Sequence, residues 1–351
     1  MKIIHCADIH LDSKMSANLT KEKARERKTE LLTTFQNMVT YGAEQGVAAI
    51  IIAGDLFDTK NVSATARNVV KDLIQGHPKI AFYYLQGNHD EGSFTSGLSE
   101  LPENLHLFGN NWTSYELSGT ENTSGKGVAV TGVELTPENS GSIYNTLSLD
   151  VDQCNIVVLH GQESEYSARD KAEIIHLTAL KNKGIDYLAL GHIHSYKKER
   201  LDARGVYCYP GCLGRGFDEC GEHGFVMLDI DELTGTIDST FIPFASRKLY
   251  TIPVDITGCE STTEIMERMR AETAGKGYPE KSLIKYELVG KIDVESEKDI
   301  DFLLHQFSHL FYFVKIKDSS EYLVDYAAFA KDKSLKGEFI RTVMGRADLP
   351  E

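Results

Sequence analysis

Residues 80–90 of the chain read Ile-Ala-Phe-Tyr-Tyr-Leu-Gln-Gly-Asn-His-Asp. The apolar first part predicts a buried strand, and the polar end predicts a turn that this strand delivers to one edge of a sheet. Asn88, His89 and Asp90 place an amide oxygen, an imidazole and a carboxylate in consecutive positions. Because these residue types are also common in ordinary turns, the stretch indicates a site only if other strands deliver matching groups.

Four further apolar stretches end in residues that can bind metals. In chain order, the residues at these ends are Asp8 with His10, Asp55, His160, and His192 with His194. The chain contains twelve histidines. Five of them follow an apolar strand directly, which is more than a chance scatter over loops would give: His10, His89, His160, His192 and His194. For any one of these strand ends, a capping or hydrogen-bonding role remains a reasonable alternative, but for all of them together it does not.

The order of the predicted elements favours an α/β layered fold. Strands are expected at 2–7, 48–53 and 80–85, and helices over 20–44 and 64–75 separate them. In such sheets, sites lie just beyond the carboxyl ends of the strands, which is where the polar residues fall. Further strands are expected up to residue 244, with one more helix over 170–182.

Composition narrows the class of protein. An apolar content of 41% and a charged content of 25% are typical of a globular chain of this length, 351 residues. The polar start and the lack of an apolar run of about 18 residues predict no signal peptide and no membrane span. The six cysteines have neither disulfide-scaffold nor zinc-site spacing, so we expect reduced thiols and a cytoplasmic location.

The domain organisation expected from the pattern is a large domain at 1–246, a small α+β domain at 247–320 and a C-terminal tail at 321–351. The net charge of −15 would repel nucleic acid over the chain as a whole. Any contact with DNA must therefore be local, assisted by metal ions or helped by a partner.

The ligand types themselves indicate two metal ions. Oxygen and imidazole ligands without thiolates suit manganese, iron or zinc. The strand ends offer seven such ligands, which are Asp8, His10, Asp55, Asn88, His160, His192 and His194. Seven ligands are too many for one ion but suit two ions, which together can activate water and clamp a phosphoryl group. The sequence therefore predicts a two-metal hydrolytic site.

The ordered motifs resemble those of the calcineurin-like metallophosphoesterases. The motifs are Asp-x-His at 8–10, Gly-Asp-x-x-Asp at 54–58, Gly-Asn-His-Asp at 87–90, His-Gly at 160–161 and Gly-His-x-His at 191–194. Within that superfamily the chain is most similar to DNA-repair nucleases of the SbcD and YhaO type. The segments 5–13, 186–194 and 209–219 carry this likeness, and the small domain takes the place of that family's capping domain.

The resemblance implies a role for each motif residue. Asp8, His10, Asp55 and His194 would bind one metal ion, most commonly Mn²⁺, and Asp55 would bridge to a second ion. The remaining ligands of the second ion would be Asn88, His160 and His192. His89 would be catalytic and face the phosphate, Asp58 and Asp90 would orient imidazoles, and Arg215 is a candidate phosphate contact. A helix cap is an equally good interpretation of Asp58. For Arg215, a salt bridge within its turn is favoured over a phosphate contact.

The implied function is DNA exonuclease and single-strand endonuclease activity, in a homodimer with an SMC-like ATPase. Two alternatives stay open, namely a phosphodiesterase for small nucleotides or other phosphoesters and a non-catalytic DNA-binding or regulatory subunit. Two features depart from the SbcD pattern. Asp12 stands where many such chains have glycine, which indicates the YhaO-like branch, and the short tail puts the partner in doubt more than the chemistry.

Overall fold

A computed structural model describes residues 1–13, 15, 19–58, 62–87, 94–95, 98, 100–117, 125–164, 174–214, 219–323, 331 and 333–345. Internal contacts divide the chain into two units, Met1–Lys248 and Leu249–Glu351. No helix among the described residues is long and apolar enough to cross a membrane.

Most strands of the first unit, in the described residues, belong to two six-stranded sheets. The strands of sheet I, in spatial order, are β14 (Thr236–Pro243), β13 (Gly224–Asp231), β1 (Lys2–Cys6), β2 (Ala49–Ala53), β3 (Ala81–Leu85) and β4 (Leu105–Leu107). Those of sheet II are β11 (Lys197–Arg200), β12 (Val206–Tyr209), β10 (Tyr187–Gly191), β7 (Cys154–His160), β6 (Val128–Gly132) and β5 (Thr113–Leu117). The central strands of both sheets run parallel. A short parallel pair, β8 (Gln162–Ser164) and β9 (Ile174–His176), lies outside them.

The two sheets pack face to face. Strand β2 shows why, since its Ile51 joins a core shared with sheet II while Ile50 and Ile52 join a core on the opposite face. That opposite core is covered by helices α1 (Lys21–Glu44) and α2 (Ala64–Gln75). A strand buried on both faces must be apolar at every position, which explains the unbroken run at 49–53.

The outer face of sheet II is covered by short helical turns. A 3₁₀ turn at Ile143–Thr146 and helix α3 (Leu177–Leu180) pack their apolar side chains against it. The prediction of a helix over 170–182 is therefore wrong for most of its described part, because Ile174–His176 forms strand β9 and only four residues are helical. The apolar residues at 174–180 pack into the core on the outer face of sheet II. A strand followed by a short helical turn can bury them there as well as one long helix can, so the apolar pattern does not distinguish the two.

The second unit contains a parallel three-stranded sheet of β15 (Leu249–Asp255), β16 (Leu283–Val289) and β18 (Phe313–Asp318). Helices α4 (Thr262–Thr273) and α5 (Ile300–Phe307) supply Ile265, Met269, Leu303 and Phe307 to its core. A small parallel pair, β17 (Lys291–Asp293) and β19 (Glu321–Leu323), and helix α6 (Leu335–Met344) complete its described elements.

The α/β fold class is confirmed, with its layers of parallel sheet and helix. The first unit ends at Lys248, and the expected domain bounds stay predictions. The capping role of the second unit stays a prediction.

Candidate metal centre

The loops after β1 and β2 lie side by side. Strands β1 and β2 are parallel neighbours, so their carboxyl ends meet at one edge of sheet I. Beyond the strands, the Asp8 amide donates to the Gly54 carbonyl at 3.1 Å and the His10 amide donates to the Asp55 carbonyl at 2.9 Å. These bonds continue the pairing of the strands into the loops and bring Asp8, His10 and Asp55 together.

Several candidate ligands have left-handed backbone conformations. The φ angles are 50° at Asp8, 51° at His10, 51° at Asp55 and 102° at His192. Residues other than glycine rarely adopt positive φ, and such conformations persist only where surrounding contacts maintain them. The concentration of positive φ at these residues indicates that the backbone is bent to aim their side chains.

Sheet II brings a second set of side chains to the same place. The Gly161 amide donates to the Gly191 carbonyl at 3.1 Å, which holds the ends of β7 and β10 together. A Cβ atom on Gly191 would overlap the carbonyl oxygen of Ala53, and one on Gly54 would overlap the His160 ring. The two glycines therefore allow the strand ends of the two sheets to approach each other closely.

The side chains form two groups that share one residue. In each group the possible ligand atoms lie within 4.8 Å of one another, and the groups are Asp8 with His10 and His194, and Asp8 with Asp55 and His160. Asp55 also lies between the groups, since its Oδ2 is 3.8 Å from His10 Nε2 and 3.5 Å from His160 Nε2. Asp8 and Asp55 are therefore both placed to bridge two ions.

Burial of the site is uneven. Asp8, His10, Asp55 and His160 are buried, whereas His192 and His194 are partly exposed. Carboxylates and imidazoles removed from water in this way require paired charges or metal ions. Among the described residues of the cluster, the side at His192 and His194 is the more exposed one.

Two imidazoles direct ring nitrogens at each other. His10 Nε2 and His194 Nε2 are 3.1 Å apart. Their other ring nitrogens face carboxylates, because His10 Nδ1 lies 3.1 Å from Asp58 Oδ1 and His194 Nδ1 contacts Glu219 Oε1. The hydrogen bond to Glu219 keeps the proton of His194 on Nδ1 and leaves a lone pair on its Nε2. The charge of the Asp58 carboxylate beside Nδ1 favours the same tautomer of His10. Two lone pairs that converge beside buried carboxylates are the donor set that a divalent cation needs, so these residues fit a metal ion.

His160 and His192 are also oriented by their surroundings. His160 Nδ1 donates to the Ala53 carbonyl at 2.9 Å, which leaves Nε2 toward Asp55. The backbone amide of His192 donates to both carboxylate oxygens of Asp8, at 3.0 and 2.9 Å. The His192 ring packs edge to face against that of His160, with centroids 5.4 Å apart.

Without metal, the cluster retains protons. Burial alone lowers the pKa of His160, but the hydrogen bond and charge of Asp55 and the charge of Asp8 outweigh it and raise this pKa to about 9. Burial raises the pKa of Asp8 to about 7, against the opposing charges of His160 and His194. A metal ion must displace these protons in order to bind.

The structure brings six of the predicted ligands and one predicted orienting group to the same edge of the sandwich. These residues are Asp8, His10, Asp55, His160, His192, His194 and Asp58. Asn88, His89, Asp90 and Arg215 lie outside the described residues, so their roles stay predictions.

Sequence reasoning missed Glu219 as a member of the site. It lies in the segment after Tyr209 that carries part of the family likeness, but it is 25 positions from His194. The signal that could have indicated Glu219 in the sequence is its position at the end of a glycine-rich stretch, 210–219, that follows a strand.

The chain belongs to the calcineurin-like phosphoesterase family, whose family model matches residues 1–196. The family uses a dinuclear metal site and its members are hydrolases.

Three relatives show which branch of the family is similar. The "uncharacterized metallophosphoesterase YhaO" of Bacillus subtilis is 29% identical over 293 residues, 80% of this chain and 70% of the relative. The DNA double-strand break repair protein Mre11 of Methanopyrus kandleri is 24% identical over 322 residues, 85% of this chain and 69% of the relative. The SbcD component of the nuclease SbcCD of Bacillus subtilis is 31% identical over 114 residues, 31% of this chain and 27% of the relative.

Proposed function

We propose that this chain is a two-metal-dependent phosphodiesterase that acts on DNA, with exonuclease and single-strand endonuclease activity. It works as a homodimer in a DNA-repair complex with an SMC-like ATPase, and Mn²⁺ is the expected metal. The observation that carries the proposal is the convergence of the His10 and His194 Nε2 atoms, 3.1 Å apart, beside buried carboxylates. This geometry supports a metal centre open to solvent on the His194 side.

The choice of DNA rests on the relatives. One relative is named a DNA double-strand break repair protein and another is named as part of a nuclease. The chain spans 69% and 27% of these two proteins, respectively. The net charge of −15 is compatible with DNA if metal ions and a partner offset the repulsion of the phosphates.

The residues divide the work of the reaction. Asp8, His10, Asp55 and His194 would hold the first ion, and Asn88, His160 and His192 would hold the second with Asp55. Bound metal would polarise the phosphodiester and lower the pKa of the attacking water. Asp58 and the Ala53 carbonyl keep His10 and His160 turned with Nε2 toward the ions. His89 contacts the phosphate and donates a proton to the leaving oxygen.

One set of assays separates the proposal from its alternatives. Purified protein with Mn²⁺ is given labelled single-stranded DNA, a labelled hairpin and a chromogenic phosphodiester, with and without an SMC-like ATPase. We expect cleavage of DNA. Cleavage of the small ester alone, even with the ATPase present, would identify an enzyme for small phosphoesters. No cleavage of any substrate by protein that binds two metal ions would favour a non-catalytic role.

A variant of His89 tests the proposed division of roles. His89→Ala should still bind two metal ions and should lose turnover by about 10²- to 10⁴-fold, the usual contribution of a positioned proton donor. Metal content is measured by mass spectrometry of the desalted protein and turnover by DNA cleavage. His309→Ala, which changes an exposed histidine of the second unit, is the control. Loss of metal from His89→Ala would show that His89 is a ligand instead.

A further inference from the structure

Glu219 contacts a candidate metal ligand from outside the sequence motifs. It lies between β12 and β13, and its Oε1 accepts a hydrogen bond from His194 Nδ1. The two side chains are 15% and 26% exposed, so water competes only partly for this contact. A hydrogen bond between a partly buried carboxylate and an imidazole is charge-assisted, and it is therefore stronger than one between neutral groups.

The contact determines which nitrogen of His194 is available. A proton held on Nδ1 by Glu219 leaves the lone pair on Nε2, which lies 3.1 Å from His10 Nε2. If the imidazole turned over or changed tautomer, this lone pair would no longer point into the centre. The His194 side chain is 26% exposed, against 1% for His10 and 6% for His160, so its ring has the most freedom of the three to turn.

Glu219 is itself held in place by two buried neighbours. The Cys212 thiol donates to Glu219 Oε2 at 3.1 Å, and His223 Nε2 donates to the Glu219 backbone carbonyl at 2.8 Å. Cys212 and His223 are 0% and 5% exposed, and their side chains are 3.5 Å apart. The Cys212 thiol thus binds one oxygen of the Glu219 carboxylate, and the His194 imidazole binds the other.

Gly214, which lies in the described start of the segment between β12 and β13, is anchored to helix α1. Arg27, which is 1% exposed, donates to the Gly214 carbonyl, and the Gly214 amide contacts Cys212 Sγ at 3.4 Å. Arg27 also donates to Glu30 at 2.5 Å. A buried arginine tied to a backbone carbonyl two residues from Cys212 fixes the position from which the thiol reaches Glu219.

We propose that Glu219 is a positioning residue of the metal centre, which holds His194 in the tautomer and orientation that direct Nε2 to the first ion. Cys212 and His223 keep the carboxylate aimed at His194. This inference rests on the proposed metal centre and adds a residue to it. Outer carboxylates of this kind are worth about 10- to 100-fold in metal affinity or activity.

Metal affinity of the full chain tests the inference without requiring activity. Protein freed of metal with a chelator is titrated with Mn²⁺ by calorimetry. Glu219→Ala should weaken the first binding event about 10- to 100-fold, and Glu219→Gln, which retains the shape but not the charge, should weaken it less. Glu222→Ala is the matched control, because Glu222 lies on the same turn, is exposed and pairs with Lys248. Its affinity should equal that of the wild type.

A double-mutant cycle shows whether Glu219 acts through His194. In a His194→Ala background, Glu219→Ala should change the remaining affinity by less than about twofold, because the contact no longer exists. An equal loss in both backgrounds would show that Glu219 acts on the general fold and would overturn the inference. Wild-type affinity in Glu219→Ala would also overturn it. Should Glu219→Ala fail to fold in thermal unfolding, Glu219→Gln in both backgrounds decides the question.

The outcome for Glu219 is separable from the outcome for the proposed function. Wild-type protein that binds Mn²⁺, shows the Glu219 effect and cleaves no DNA would retain the positioning role and overturn the nuclease assignment. DNA cleavage with unchanged affinity in Glu219→Ala would do the reverse. A wild-type chain that binds no divalent ion at all would overturn both.

Discussion

The metal centre has two halves, and different interactions orient them. In the half after β1 and β2, the loops are paired through their backbones, with the Asp8 amide on the Gly54 carbonyl and the His10 amide on the Asp55 carbonyl. In the half after β7 and β10, the imidazoles depend on contacts with other segments. His160 contacts the Ala53 carbonyl of sheet I, and His194 contacts Glu219 in a distant turn.

The difference concerns how far along the chain the orienting group lies from a recognisable motif. The carboxylate beside His10 is Asp58, which belongs to the Gly-Asp-x-x-Asp motif itself. The carboxylate beside His194 is Glu219, which lies 25 positions further along the chain. The first half is therefore specified by short motifs, and the second half depends on tertiary contacts.

The largest effect is expected from removing Asp55, the carboxylate that would bridge the two ions in the proposed site. Asp55→Ala should abolish tight binding of both ions, and Asp8→Ala should retain one. Asp55 Oδ2 faces an imidazole of each group, whereas both oxygens of Asp8 already accept the His192 amide. Metal content after desalting and Mn²⁺ calorimetry are the measurements, and activity should fall by more than the about 10- to 100-fold typical of orienting groups.

Asp72→Ala, which changes an exposed residue of α2, is the control for the loss of a carboxylate. The opposite order, with Asp8→Ala losing both ions and Asp55→Ala losing one, would contradict the bridging role of Asp55. It would assign that role to Asp8, which the distances between ligand atoms also allow. The two halves of the site would then be joined by the loop after β1 and not by the loop after β2.

The parts of the fold that could be predicted are those with a strong local pattern. Helix α2 spans Ala64–Gln75, the range expected from the sequence, and β2 and β3 lie within one residue of their predicted ends. The helix predicted over 170–182 is wrong for Ile174–His176, because a short apolar segment fits a strand as well as a helix. Strand β11 (Lys197–Arg200), which is largely exposed at the edge of its sheet, has no apolar alternation that could have indicated it.

In the candidate site, too, the features with a local sequence pattern could be predicted and those that depend on tertiary contacts could not. Its candidate ligands among the described residues could be selected from the sequence because each stands at or shortly after the end of a strand, where parallel topology makes the ends converge. The positive φ angles of Asp8, His10 and Asp55 could not be predicted, since nothing in their residue types requires them. Glu219 could not be predicted either, because its role exists only where Cys212 and His223 fold against it.

A smaller effect is expected when the orienting group of the first half is removed. Asp58→Ala should weaken Mn²⁺ binding by about tenfold, the lower end of the range for such groups. It should cost less than Glu219→Ala because the His10 side chain is 1% exposed and its backbone is paired with Asp55, so the ring has little freedom to turn. Calorimetry of both variants in the same buffer makes the comparison.

Ser13→Ala is the control for Asp58→Ala, because the Ser13 hydroxyl donates to Asp58 Oδ2 at 2.8 Å without touching His10. Its affinity should stay within about twofold of the wild type. A loss in Asp58→Ala greater than that in Glu219→Ala would show that the motif-encoded half depends more strongly on its orienting carboxylate. The contrast between the two halves would then be wrong.

The pH dependence of the metal-free chain also differs between the halves. Asp8, in the first half, has its pKa raised from 3.8 to about 7, and His160, in the second, has its pKa raised from 6.5 to about 9. A group whose pKa is raised by folding stabilises the fold below its unfolded pKa and loses that contribution as pH rises through its folded pKa. The contribution of Asp8 should therefore fade between about pH 4 and pH 7, and that of His160 between about pH 6.5 and pH 9.

Metal binding should show the opposite pH dependence. Because an ion displaces the proton on His160, Mn²⁺ affinity should fall about tenfold from pH 8 to pH 7, with release of about one proton. Below about pH 7 the Asp8 proton adds to it, and the slope should steepen. Calorimetry in buffers of different ionisation enthalpy counts the released protons directly. The same titration with Ca²⁺ in place of Mn²⁺ repeats the measurement with another divalent ion. Proton release close to zero at pH 8 would show that His160 is neutral before metal binds, so that the second half is already prepared for an ion.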